Sequence, residues 1–263
     1  MMSDHRAFME TENNYLGVLT YHILRSYPNL TGFYIQEEFS GGSIKPVDDL
    51  MSSGIRVNNL KELTISMMGH KNYSFYHKLL NLTKDNIRKL RLGVEGDSFR
   101  TQGAESKKKA TLFEAVEGSI SITSIKVKSD FYLLSKEIQV LATLPNLMKL
   151  QVDWFDADAM QELLEREFTK GLKNLTHLQL LFSVPHPEKA FKGIHKSLIH
   201  LKYAYTQRQK DNKLNLDQTL AIVEGKKFGF KFTTLFENDK EFQMQCPKAV
   251  LLDPSHNWYQ YKK

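Results

Sequence analysis

The sequence predicts an α/β fold: a curved sheet of parallel strands on a concave side and helices on a convex side, in about seven to eight solenoid repeats. Three observations predict it. The phrase LPNLMKLQV at 144–152 returns 28 residues later as LKNLTHLQL at 172–180. Its apolar residues stand at i, i+3 and i+5, a spacing that suits no helix and ends in the period-two alternation of a strand. Between such phrases the chain carries apolar residues at three- and four-residue steps, over the dozen or so residues that a crossover between parallel strands requires.

Taken in order, residues 1–28 read as an N-terminal capping segment whose helix, within YLGVLTYHILRS, covers the open edge of the first strand. The repeating region spans 29–235. Its frame opens at Leu30/Phe33/Ile35 and recurs at Leu60/Leu63/Ile65, Ile87/Leu90/Leu92, Ile122/Ile125/Val127, Leu147/Leu150/Val152, Leu175/Leu178/Leu180 and Leu198/Leu201/Tyr203. These seven copies lie 23 to 35 residues apart, close to the period of a strand-plus-helix repeat. The Gly-, Ser- and charge-rich stretches 37–54 and 96–110 read as inserted loops, the second accounting for the longest interval. FYLLSKEIQVLATL at 131–144 and AMQELLEREF at 159–168, the latter behind an acidic cap at Asp156 or Asp158, read as helices. After a helical LDQTLAIVEG, the alternating Phe228, Phe230 and Phe232 of KKFGFKF suggest an eighth strand, and 236–263 a C-terminal cap and tail.

The phrases LKELTI, IRKLRL, LMKLQV and LTHLQL carry the pattern LxxLxL, and over roughly residues 28 to 205 the chain resembles the leucine-rich repeat family. The likeness is to irregular, roughly 28-residue repeats of the ribonuclease-inhibitor-like or F-box-associated kind. One feature departs from it. The family's Asn or Cys three places after the last core residue is replaced here by Glu38, Met68, Glu95, Asp130, Phe155, Ser183 and Thr206. The inner asparagine ladder is therefore expected to be missing, with turns held by packing and by the helices.

Composition bounds the function. A chain of 263 residues, 41% hydrophobic and 25% charged, can bury a sizeable core. The opening MMSDHRAFME carries acids and no apolar run, which predicts no secretory signal, and no stretch approaches the roughly 18 apolar residues of a membrane span. Cys246 is the only cysteine, so a reducing, cytoplasmic location is expected, with the nucleus left open. The net charge of +6 permits acidic partners without announcing nucleic acid.

The sequence offers no catalytic, cofactor-binding or metal-binding residue. None of GxGxxG, a phosphate loop ending in GK[ST], GxSxG or HExxH is present, and His70, His77, His186, His195 and His200 show no metal-ligand spacing. A non-enzyme without cofactors is the expectation.

The positive signal lies on the face opposite the buried positions. The second, fourth and sixth residues after each opening aliphatic give 21 sites, of which six are Lys or Arg and two acidic. Lys89, Arg91, Lys126, Lys128 and Lys149 fall on three successive strands and predict one basic patch, flanked by Gln151, His177 and Lys202. Trp154, Phe155, Tyr203 and Tyr205 are candidate contact anchors, although aromatics at such places more often fill the turn. The resemblance implies a scaffold or adaptor, a subunit of a larger assembly whose concave face holds a protein partner with an acidic surface. The alternatives are a nucleic-acid or ribonucleoprotein-binding subunit using the same patch, or the substrate receptor of a ubiquitin ligase. The last would require a truncated chain, because an F-box with its Leu-Pro opening is absent ahead of Leu30.

Overall fold

In a computed structural model of the chain, the described residues are 6–11, 13–37, 55, 57–67, 72–94, 112–167, 172–180, 184–190, 200–203, 232–234 and 249–251. Eight strands form one sheet in chain order: β1 (Arg6–Thr11), β2 (Gly32–Glu37), β3 (Glu62–Met67), β4 (Lys89–Val94), β5 (Ser124–Leu133), β6 (Lys149–Phe155), β7 (His177–Leu180) and β8 (His200–Tyr203). Every neighbouring pair is parallel. Helices α1 (Asn13–Ser26), α2 (Tyr73–Thr83), α3 (Ser135–Ala142), α4 (Ala157–Glu167) and the single turn α5 (Pro187–Ala190) occupy the crossovers. The fold is α/β with a parallel sheet.

The register follows the aliphatic frame. Phe33, Leu63, Leu90, Ile125, Leu150, Leu178 and Leu201 are successive cross-strand partners, as are Ile35, Ile65, Leu92, Val127, Val152, Leu180 and Tyr203. In the first six copies all three frame positions are at most 5% exposed. A one-residue slip would turn each set to solvent, so burial fixes the pairing. Tyr76, Leu79 and Leu80 of α2, Ile138 and Leu141 of α3, and Met160 and Leu164 of α4 belong to the same core, each set at three- or four-residue spacing. Burying one such aliphatic side chain contributes roughly 1.5–3 kcal/mol.

Four features differ from the sequence reading. The first is at the N-terminal edge, where β1 pairs with β2 and α1 is the crossover between them, so a strand rather than a helix alone extends the sheet. Second, Phe131–Leu133 close β5 instead of opening a helix. A register shift after Val127 lets Tyr132 and Leu133 pair with Trp154 and Phe155, and Phe131 and Leu133 are fully buried. Helix α3 starts only at Ser135, with Glu137 accepting the Leu134 N–H at 2.9 Å. Third, Phe232–Thr234 forms β9, which pairs with β10 (Ala249–Leu251) in a separate sheet. Residues 226–231, the loop 96–110, residues 38–54, Cys246 and the tail after 251 lie outside the described residues. As for the start of α4, Asp156 is the cap: its Oδ1 accepts the Ala159 N–H at 3.1 Å, and its Oδ2 accepts the Ser135 hydroxyl at 2.9 Å.

The fourth difference is a polar ladder at the other end of the strands. The residues just before the first six opening aliphatics are Asn29, Asn59, Asn86, Ser121, Asn146 and Asn174. Asn59 donates to the Pro28 carbonyl at 3.1 Å, Ser121 to that of Asp85, Asn146 to that of Ile120 at 2.7 Å, and Asn174 to that of Pro145 at 2.8 Å. Beside it, single carbonyls of Thr31, Lys61, Arg88, Thr123 and Met148 each accept two successive N–H groups from the start of the next strand, at 2.7–3.0 Å. The turns are thus tied strand to strand by side-chain amides as well as by packing.

At the opposite end, Glu37 closes β2 only 2% exposed. It accepts the Asn72 amide at 2.8 Å and the Tyr76 hydroxyl at 2.7 Å, both from the start of α2. Burial, and then the Glu37 carboxyl beside it, push the Tyr76 phenol well above its usual range.

Candidate interaction surface

Alternation along the strands turns the residues between the buried positions to the open face of the sheet. Two transverse rows cross β3 to β8, and a shorter third follows on β4 and β5. The first reads Glu62, Lys89, Ser124, Lys149, His177, His200, and the second Thr64, Arg91, Lys126, Gln151, Gln179, Lys202. In the third, Gly93 lies beside Lys128, whose Cβ is 3.7 Å from where a Gly93 side chain would begin. The structure therefore brings together all eight residues of the expected surface by register or contact, with neighbouring strands about 4.8 Å apart.

Within that surface the charges are unequal. Lys89 is ion-paired to Glu62 at 2.5 Å across β3 and β4, which offsets its charge. Arg91, Lys128 and Lys149 are exposed, and Lys126 is half-buried between them. Arg91 and Lys149 form no ion pair among the described residues, and Arg91 and Lys126 are direct cross-strand partners. Two cations held side by side repel each other, so an anion bridging them gains from both. Gln151 is half-buried, and the His177 ring sits 2.8 Å from the Thr176 hydroxyl. Asp153, also half-buried, is the acidic residue at the far end of β6.

The expected aromatic anchors do not all reach this face. Phe155 is fully buried in the core, because the strand continues past the β5 irregularity and turns its ring inward. Tyr203 occupies the row of buried Leu180, and Tyr205 lies outside the described residues. Trp154 is placed only by its pairing with Tyr132.

Sequence reasoning missed the rim where the strands begin. The residues right after the first six opening aliphatics line up as Thr31, Lys61, Arg88, Thr123, Met148 and Thr176. An open cleft of about 780 Å³ runs along Lys61, Arg88, Asn86, Ile120, Asn146 and Met148, with Asp85 also on its wall. Ile120 and Met148 are 67% and 42% exposed, unusual for large apolar side chains. The signal was present as Lys61 and Arg88 following Leu60 and Ile87, but an exposed rim residue and an exposed face residue look alike in sequence. Among the described residues no group of three His, Cys, Asp or Glu is placed to hold a metal ion, and no helix is long and apolar enough to cross a membrane. No family model matches the chain and no curated protein is similar to it in sequence, so the reading of this surface rests on its own geometry and charge.

Proposed function

We propose that the chain is a non-enzymatic interaction module, a leucine-rich repeat solenoid of about seven to eight coils that holds an acidic protein surface against its open, concave sheet face. In this reading it is an intracellular adaptor or subunit of a larger assembly. The observation that carries the proposal is the placement of Arg91, Lys126, Lys128 and Lys149 on three adjacent strands, where Arg91 and Lys149 form no ion pair among the described residues. Protein is favoured over nucleic acid because, among the described side chains, no Phe, Tyr or Trp stands within the patch for a base to stack on. Tyr34 is the one phenol among the described side chains of that face, it lies two strands from Arg91, and its hydroxyl is bonded to Gln36.

The test is affinity capture from cell extract with the wild-type chain and with Arg91→Glu combined with Lys126→Glu. Both substitutions sit on the open face, where exchanges usually cost within about half a kcal/mol, so the fold should persist. The wild-type protein should retain acidic partners at low salt and lose them as salt shortens the screening length toward about 8 Å. The double variant should capture none of them. Retention at wild-type strength refutes the proposal, and retention of nucleic acid with a steep salt dependence replaces it with the nucleic-acid reading.

A further inference from the structure

We infer that the partner presents an acidic segment carrying an apolar side chain, and that this side chain seats over the rim, against Ile120 and Met148. The inference rests on the reading of the sheet face given above and adds a specificity element to it. Its basis is the succession of surfaces along the rim cleft. On the β3 and β4 side the cleft is cationic, through Lys61 and Arg88. On the β5 and β6 side it offers Ile120 and Met148, the two exposed large apolar side chains on its wall among the described residues. Between them stand Asn86, Ser121 and Asn146, the last two donating their side chains to the Asp85 and Ile120 carbonyls and so tying neighbouring turns together.

Charge sets the kind of occupant. Arg88 is exposed and forms no ion pair among the described residues, while Lys61 gives one Nζ hydrogen to the Asn58 carbonyl at 2.9 Å and retains two. Asp85, the acid on the wall, balances one of these cations and leaves the cleft positive. One residue further along the same strands come Lys89, paired to Glu62, and Lys149, unpaired among the described residues, on the sheet face, so the rim adjoins the basic face. An apolar pair set beside cations fits a chain whose acids are interrupted by an aliphatic residue; a purely acidic chain would leave Ile120 and Met148 in water. Met148 suits such a contact, since its unbranched thioether adapts to different side chains.

The experiment uses the full chain with isotope-labelled methionine methyl groups. Three short peptides are titrated: Glu and Asp around a single Leu, the same with Ala for the Leu, and the first with Lys for every acid. The Leu peptide should shift the Met148 methyl signal saturably while leaving that of Met160, fully buried in the core, in place. The Ala peptide should bind about three- to tenfold more weakly, the loss of a partly buried aliphatic side chain, and the Lys peptide should not bind. Equal binding of both acidic peptides with an unmoved Met148 signal overturns the rim contact alone and leaves the sheet-face reading standing. No binding by either acidic peptide at low salt overturns both.

Discussion

Leu150→Asp tests the register on which the whole surface depends. Leu150 is 1% exposed on β6, between Ile125 and Leu178 on the adjoining strands, in the core that it shares with Ile138 and Leu141 of α3 and Met160 and Leu164 of α4. Removing its side chain to Ala would cost about 2–5 kcal/mol, combining lost burial with the cavity left behind. Aspartate adds a carboxyl group with no partner in that layer, at a further cost of about 2–7 kcal/mol even if it takes up a proton. The sum, roughly 4–12 kcal/mol, matches the 5–15 kcal/mol that holds a domain of ordinary stability together. The variant should therefore be unfolded at room temperature by circular dichroism, whereas Leu150→Ala should melt cooperatively at a lower temperature. Lys149→Asp, one residue away on the open face, should shift the urea midpoint hardly at all, within about 0.5 kcal/mol. If Leu150→Asp melted like the wild type, the inward and outward positions would be exchanged and the basic patch would not exist.

Other sites make independent claims. Tyr76→Phe removes a hydroxyl held 2.7 Å from the buried Glu37 carboxyl and should cost roughly 1.5–3 kcal/mol in urea unfolding; Glu37→Ala, which strands both the Tyr76 hydroxyl and the Asn72 amide, should cost more. Because the folded state raises the Tyr76 pKa, stability from its neutral form is complete below about pH 10, the unfolded value, and falls as pH rises through the folded one. A spectrophotometric titration should accordingly show one of the 11 tyrosines ionising only as the protein unfolds, and eleven ordinary titrations would contradict the burial of that ring. Asn146→Ala and Asn174→Ala should each lower stability by about 1 kcal/mol, and an unchanged urea midpoint in both would show the ladder to be incidental. Gly118 has φ +67°, so Gly118→Ala should cost about 1–2 kcal/mol, measured as a lower melting temperature.

The sheet was legible because its burial is written at fixed offsets. Three aliphatic positions per strand, with the polar residues between them, specify both the pairing and the face, and Lys89, Arg91, Lys126 and Lys149 could be placed from Leu90, Leu92, Ile125 and Leu150 alone. What escaped was non-periodic. Phe131 and Leu133 look helical beside LSKEIQVL because a strand that shifts register after Val127 breaks the alternation by which strands are recognised. Phe155 stood open between a surface anchor and a turn filler for the same reason, and it is a core residue. The asparagine ladder was sought after the strands, where the resembling family keeps it, and stood in plain view before them at Asn59, Asn146 and Asn174. The Glu37, Asn72 and Tyr76 cluster joins residues 35 and 39 positions apart, a separation at which local pattern carries no information.

The doubled carbonyl contacts at the strand starts also give the sheet a mechanical grain. A pull along the strands loads many inter-strand hydrogen bonds together, while a pull from β1 toward β8 runs parallel to those bonds and meets them one strand at a time. The protein is thereby stiff in one direction and peels in the other. A ligand chain laid across β4, β5 and β6 would act as a clasp against peeling, so that binding and resistance to tension become the same property of the molecule.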